Sequence, residues 1–168
     1  MTADTRETSA PSPLPPVGWR EYVGLPALGV ERIKAKVDTG ARTSALHAIN
    51  ILYIFRAGET WVQFDVHPVQ RNTKRVVHCE APLVEERYVC DSGGKRTLRP
   101  VIETTVLLNG ENIEVELTLV SRDTMGFRML IGRQALRGRF VVDPGASFLG
   151  GRRKKKKKTR KKKVKRSR

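Results

Sequence analysis

Apolar and polar residues alternate with a period of two through much of the chain, the pattern of strands with one buried face. Ile33-Lys34-Ala35-Lys36-Val37 is the clearest run, and it leads straight into a tight turn at Asp38-Thr39-Gly40. Ile51–Phe55 and Thr60–Val66 are the next expected strands, split by Ala57-Gly58-Glu59. Glu85–Val89 and Thr97–Ile102 flank Asp91-Ser92-Gly93-Gly94, a hairpin with glycine at its tip, where positive φ costs little. Thr104–Leu108 and Ile113–Val120 flank Asn109-Gly110, a strong signal for a second hairpin. Met129–Gly132 reads as a short apolar strand, Gln134–Leu136 as a brief helix, and Phe140–Val142 as a last strand stopped by Asp143-Pro144-Gly145. Val23–Val30, interrupted by Pro26 and Gly29, reads as a short edge element, and Arg71–Val77 fits either a strand or an exposed loop. Short strands, regular turn signals and the lack of βαβ alternation predict an all-β barrel or sandwich.

Composition changes the picture mainly at the two ends. Arg152–Arg168 holds 14 of the 33 Lys and Arg residues and no acid, so the rest has 19 basic against 17 acidic residues. The net charge of +16 is thus a property of the tail, while the body carries +2. A run of like charge with little to bury is expected to be disordered. So is the leader 1–16, with Pro11, Pro13, Pro15 and Pro16 among small polar residues. The folded domain is placed at 17–150. No stretch approaches the roughly 20 apolar residues of a membrane span, and the leader lacks the apolar block of a signal peptide. Two cysteines, Cys79 and Cys90, are too few for a disulfide framework, though one bridge across a hairpin is left open. A cytoplasmic protein is the simplest reading.

Asp-Thr-Gly alone marks turns in many proteins. Here the turn follows an apolar strand that would carry the Asp38 carboxylate to the base of a cleft. Val37-Asp38-Thr39-Gly40-Ala41 resembles the active-site loop of retroviral-type aspartic proteases. Met129-Leu130-Ile131-Gly132-Arg133-Gln134-Ala135-Leu136 is similar to the apolar-Gly-Arg strand and helix that pack behind that loop. Asp91-Ser92-Gly93-Gly94-Lys95 stands where the family has its glycine-tipped flap. The string from Gly18-Trp19-Arg20-Glu21 to Ala41-Arg42-Thr43-Ser44-Ala45-Leu46-His47-Ala48 resembles a bacterial and archaeal branch of retropepsin-like endopeptidases, often labelled ATP-dependent zinc proteases.

The resemblance implies a closed retropepsin-like barrel with one short C-terminal helix. It implies Asp38, Thr39 and Gly40 as the catalytic loop, with Ile131, Gly132 and Arg133 supporting it from behind. Ala41, Arg42, Ser92, Gly93 and Gly94 would then line the substrate. In such an enzyme one carboxylate takes a proton from water while the other carboxyl group hydrogen-bonds the scissile carbonyl. Two like charges at close range cannot both ionise, so the pair shares a proton. One Asp-Thr-Gly per chain supplies half of the dyad. A homodimer, with Asp38 from each copy across a two-fold axis, is therefore expected. Arg42 is read either as favouring acidic substrates or as an ordinary surface arginine. Relatives are associated with enzymes that add glutamates to ribosomal proteins, which implies a glutamate-rich substrate.

Several rival readings are set beside this one. His-Glu-x-x-His, paired Cys-x-x-Cys and a phosphate-binding Gly-x-x-x-x-Gly-Lys-Ser/Thr loop are all missing, so neither metal nor cofactor is expected. His47, His67, His78, Cys79 and Cys90 are the remaining soft ligands, and His47, nine residues beyond Asp38, is the one to follow. His78 and Cys79 should face opposite sides of a strand. Asp91, Asp143, Asp65 and Asp123 are read as turn or surface acids. The tail 152–168 either contacts a polyanion such as RNA or a ribosome, or serves solubility alone. The alternative to a peptidase is a non-catalytic retropepsin-like module that docks on RNA or ribosome through that tail. A metallopeptidase is a third and weaker reading. No role is assigned to the segment 51–83.

Overall fold

The structure, a computed structural model, describes residues 13–91, 93–121 and 126–151. Most of the leader, all of the basic tail, Ser92 and Asp123 therefore lie outside the described residues. The first half of the chain forms β1 (Pro16–Gly18), β2 (Arg20–Leu25), a 3-10 turn (Pro26–Leu28), β3 (Val30–Asp38), β4 (Ser44–His47), β5 (Ile49–Arg56) and β6 (Glu59–Val66). The second half forms β7 (Val77–Pro82), β8 (Glu85–Cys90), β9 (Arg96–Leu108), β10 (Glu111–Val120), β11 (Met129–Gly132), the single-turn helix α1 (Arg133–Leu136) and β12 (Val141–Asp143). The fold is all-β, as the alternation predicts.

Strands pair in the order β10-β4-β11-β3-β2-β9, and β9 pairs back onto β10, so the sheet closes into a ring with β8 as a flange on β9. The period-two pattern of β3 now has a meaning. Ile33, Ala35 and Val37 point into the ring and are buried, while Arg32, Lys34 and Lys36 point out. Ile33, Leu46, Leu117 and Ile131 meet inside the closed sheet at essentially zero exposure. Each such side chain contributes about 1.5–3 kcal/mol relative to an exposed one.

Some elements differ from the sequence reading. Val23 does not begin an edge element, because β2 lies inside the ring between β3 and β9, and Pro26 starts a 3-10 turn after that strand has ended. The strands expected at Thr97–Ile102 and Thr104–Leu108 are one continuous β9, which serves both hairpins; Glu103 between them simply faces solvent. Residues 71–76 form a loop, and β7 starts at Val77. Both thiols are free, Cys79 buried and Cys90 exposed, so there is no bridge. His78 and Cys79 do take opposite faces of β7.

The segment 51–83 forms most of a separate three-stranded antiparallel sheet, β5-β6-β7. Its inner face adds Val62, Phe64, Val66 and Ala81 to the main core, and the Cys79 thiol donates to the Leu28 carbonyl at 3.4 Å. Its outer strand β5 leaves Leu52, Tyr53 and Phe55 exposed, Phe55 by 78%. The Tyr53 hydroxyl reaches Glu86 on β8 at 2.8 Å and ties this sheet to the flange. Arg87, next along β8, bridges Glu85 to Glu116 of β10, at 2.8 Å from the latter.

The first and last parts of the described fold are drawn together by a single acid. Glu21 is 0% exposed, and its carboxylate accepts from the Gly18 and Leu149 amides at 2.8 Å and from the Gly150 amide at 3.2 Å. Burying a carboxylate is costly unless its lone pairs are met, and three backbone donors meet them here. Gly18 is required beside it, because a Cβ there would stand 2.5 Å from the Ala146 carbonyl oxygen. Just before, β1 pairs in parallel with β12.

Two outcomes follow from this packing. Glu21→Ala leaves the buried Gly18 amide and the part-buried Leu149 and Gly150 amides without their acceptor and is expected to lower stability by about 3 kcal/mol in urea titration; a loss below about 1 kcal/mol would show that the clamp is not stabilising. Burial, helped by Asp65, pushes the Cys79 thiol up to about 11. An unfolded thiol ionises lower, near pH 8.5, so this stability is intact below that pH and is lost as pH rises towards 11. Wild type should therefore lose up to about 1.4 kcal/mol per pH unit more than Cys79→Ala across that window; parallel curves for the two proteins would contradict it.

Candidate active site

β3 delivers Asp38 to a turn that folds back on the carboxylate. Asp38 Oδ1 accepts from the Gly40 amide at 3.0 Å and the Ala41 amide at 3.2 Å. This is the side-chain-to-backbone turn that aspartate favours. A Cβ on Gly40 would lie 3.2 Å from Oδ1, so the loop has little space for a larger residue. Asp38 is 29% exposed, and its Oδ2 lies 3.9 Å from the Lys36 ammonium. Lys36 shares the outward face because it precedes Asp38 by two residues on the same strand. A half-exposed pair of this kind contributes at most about 1 kcal/mol to stability. Its effect on chemistry is to put positive charge beside the open oxygen.

Behind the turn, β11 runs parallel to β3 with Ile131 opposite Val37 and Gly132 opposite Asp38. Gly132 is pressed onto the chain at 42–43: an added Cβ would stand 2.5 Å from both the Thr43 carbonyl carbon and its oxygen. Its amide donates to the Ser44 hydroxyl at 3.1 Å, and Ser44 in turn accepts on its carbonyl from the Thr118 hydroxyl at 3.3 Å. The Arg133 and Gln134 amides continue the clamp onto the Ala41 and Arg42 carbonyls at 2.9 and 3.2 Å. The Arg133 guanidinium then reaches over the turn, donating from Nη1 to the Thr39 and Gly40 carbonyls at 3.2 Å each. Every carbonyl from Thr39 to Arg42 is thus held by residues 133–134.

The fold therefore brings together Asp38, Thr39, Gly40, Ala41, Arg42, Ile131, Gly132 and Arg133. Thr39, Gly40 and Arg42 are exposed, whereas Ile131 and Gly132 are buried. Gly93 and Gly94 sit instead at the tip of the β8–β9 hairpin, organised by Asp91. That carboxylate accepts from the Gly93 and Lys95 amides at 2.9 and 3.0 Å, and Gly94 has φ 80°. Two contributors escaped the sequence reading. Lys36 was legible from the period of β3, as an outward residue on the face of Asp38. Ser44 carried no signal, because its partner Gly132 is far along the chain.

The soft ligands are dispersed. His47 is buried on β4, with its amide bonded to the Arg128 carbonyl at 2.8 Å. His67 Nδ1 contacts the Arg75 carbonyl at 3.3 Å. His78 Nδ1 lies 2.6 Å from Asp65 Oδ1 while the Asn50 amide donates to Oδ2 at 2.8 Å, and the Asn50 contact, followed by His78, holds the Asp65 carboxyl below its usual range. Among the described residues, no three of His, Cys, Asp and Glu converge as a metal site. None of their helices is long and apolar enough to cross a membrane.

Residues 16–153 match the family model described as RimB-like, retropepsin-like aspartic endopeptidase RimB. The chain belongs to the RimB-like family. A 132-residue stretch, 79% of this chain, is 48% identical to a Shewanella pealeana protein named probable alpha-L-glutamate ligase and 47% identical to its Shewanella halifaxensis counterpart. The chain spans only 29% of the length of either relative. A crystal structure of a Legionella pneumophila protein of unknown function superposes with a TM-score of 0.69 at 25% identity, over 82% of this chain and 98% of that one. The likeness thus extends over the ring as well as over the Asp38 turn.

The packing of Gly132 supplies its own test. Gly132→Ala forces the 42–43 backbone away from β11 and is expected to cost about 2 kcal/mol in chemical denaturation. A cost below about 0.5 kcal/mol would mean that the contact yields without strain.

Proposed function

We propose that this RimB-like protein is an aspartic endopeptidase whose active site is completed by two copies of Asp38. The observation that carries this reading is the Asp38 turn itself. Two amides fix Oδ1, and Oδ2 is left accessible beside a cation. In the dimer the two carboxyl groups share one proton. The ionised carboxylate takes a proton from water, whose oxygen attacks the peptide carbonyl carbon, and the protonated partner hydrogen-bonds the carbonyl oxygen. Collapse of the tetrahedral intermediate breaks the C–N bond, and the leaving amine receives a proton from the dyad. Each chain has a single such loop, so a two-fold axis at Asp38 is part of the proposal. Thr39, exposed at the turn, is the residue placed to bond its own copy across that axis. The hairpin tip at 91–95 serves as the closing flap.

Charge favours an acidic substrate. Lys36 lies beside the Asp38 carboxylate, Arg133 reaches over the turn, and Arg42 is exposed at its end. The relatives that contain a matching segment carry the name glutamate ligase, which fits a glutamate-rich polypeptide as the material acted upon.

Peptide cleavage by wild type and by Asp38→Asn tests the reading, on a mixed library that includes glutamate-rich peptides, with and without chelator. Wild-type cleavage should survive chelator and fall at least a thousandfold in the variant. Cleavage unchanged by Asp38→Asn would overturn the dyad. Full activity from a protein that sediments only as a monomer would overturn the two-subunit site.

A further inference from the structure

The outward face of β2 and β3 carries a set of contacts that the peptidase reading leaves unused. Lys34 Nζ lies 5.8 Å from the ring centre of Phe127, which meets Trp19 edge-to-face at 5.8 Å. Arg20 lies over Trp19 at 4.5 Å and also over Phe148 at 5.1 Å. Phe148 stacks on Tyr22 with centroids 4.7 Å apart, and Tyr22 carries Arg32 at 3.8 Å. Cation and ring thus alternate along one face. The last member, Arg32, donates to the Gly151 carbonyl at 3.0 Å. From Gly151 the sequence continues directly into the 14 basic residues of 152–168.

The other end of this ladder opens into a cavity of about 410 Å³. Trp19 and Phe127 line it with Arg20, Lys34 and Arg71, and among the described residues no acid joins them. Gln70 and Gly126 complete the lining; Gln70 is half-buried, and its Oε1 has no hydrogen-bond partner among the described residues. A donor from a ligand would satisfy it.

We propose that this face binds single-stranded RNA, with one base stacked against the aromatic wall that Trp19 and Phe127 form in the cavity and phosphates along Arg20, Lys34 and Arg71. Cation–π contacts restrain Arg20 and Lys34, which lowers the cost of ordering them for phosphate contacts. A carboxylate-rich peptide has no use for the aromatic walls, whereas a base stacks on them. A ribose 2′-hydroxyl is a donor suited to Gln70 Oε1, and that contact separates RNA from DNA. The basic run 152–168 contains no aromatic residue, so it adds phosphate contacts and no stacking. The site does not involve Asp38, and the inference stands or falls apart from the peptidase reading.

The test is fluorescence anisotropy of the full chain with labelled oligouridine across a salt series. Lys34→Ala with Arg71→Ala should weaken binding at least tenfold at low salt and flatten the salt slope by about 1.4, since each phosphate contact on a single strand contributes about 0.7. Phe127→Ala should weaken binding at least fivefold with the slope unchanged, and Phe127→Trp should restore it. Melting curves establish that each variant is folded, and the Lys34/Arg71 pair, both at the surface, decides the matter if Phe127→Ala is not. Wild-type affinity and slope in the Lys34/Arg71 pair would overturn the proposal, because binding would then belong to 152–168 alone. Equal affinity for oligodeoxyuridine would remove the ribose contact and the assignment to RNA. Displacement of oligouridine by polyglutamate of equal length, at a lower concentration than unlabelled oligouridine needs, would reassign the face to acidic polypeptide.

Discussion

The seam between Gly132 and the backbone at Arg42–Thr43 is the contact on which the rest depends. A parallel pair of strands usually needs a helix or long crossover to bring it about. Here β3 and β11 lie far apart in sequence and are brought together inside a closed sheet. They approach closely enough for the loop after one to hydrogen-bond the chain after the other only because position 132 has no side chain. From that approach follow the Ser44 bond, the two backbone clamps onto Ala41 and Arg42, and the reach of Arg133 over Thr39 and Gly40. The Asp38 carboxylate is consequently fixed from below by packing and from the side by its own turn, with one oxygen left to face solvent.

A second constraint acts where the segment before the ring meets the one after its last strand. Glu21 is a buried acid in a small protein, an arrangement that is stable only when its donors are complete. They come from residues on both sides of the ring, Gly18 before it and Leu149 and Gly150 after the last strand. The same wrap sets Phe148 against Tyr22 and Arg20, so an internal electrostatic clamp also builds the outer aromatic surface. Stability and the character of the basic face are coupled through one segment. The added sheet β5-β6-β7 is a separate matter: its inner side lengthens the core, while the free strand β5 presents apolar residues without the lysines or prolines that usually protect an edge.

Much of this is legible along the chain. Alternation marked β3, β6 and β10, and the Asn109-Gly110 and Gly93-Gly94 turns marked both hairpins, because period and turn chemistry are local properties. The Asp38 turn and the Met129–Gly132 strand were legible for the same reason, and Lys36 could be placed beside Asp38 by counting along one strand. Everything that joins distant segments is set by the closure of the sheet. Ser44 has its role through Gly132, Glu21 through Leu149 and Gly150, and Arg32 through Gly151. The four-residue β4 and three-residue β1 are too short to show a period and exist because neighbouring strands complete their hydrogen bonds. Local pattern says which face of a strand is buried, but ring closure alone decides which carbonyl, amide or aromatic ring waits on the other side.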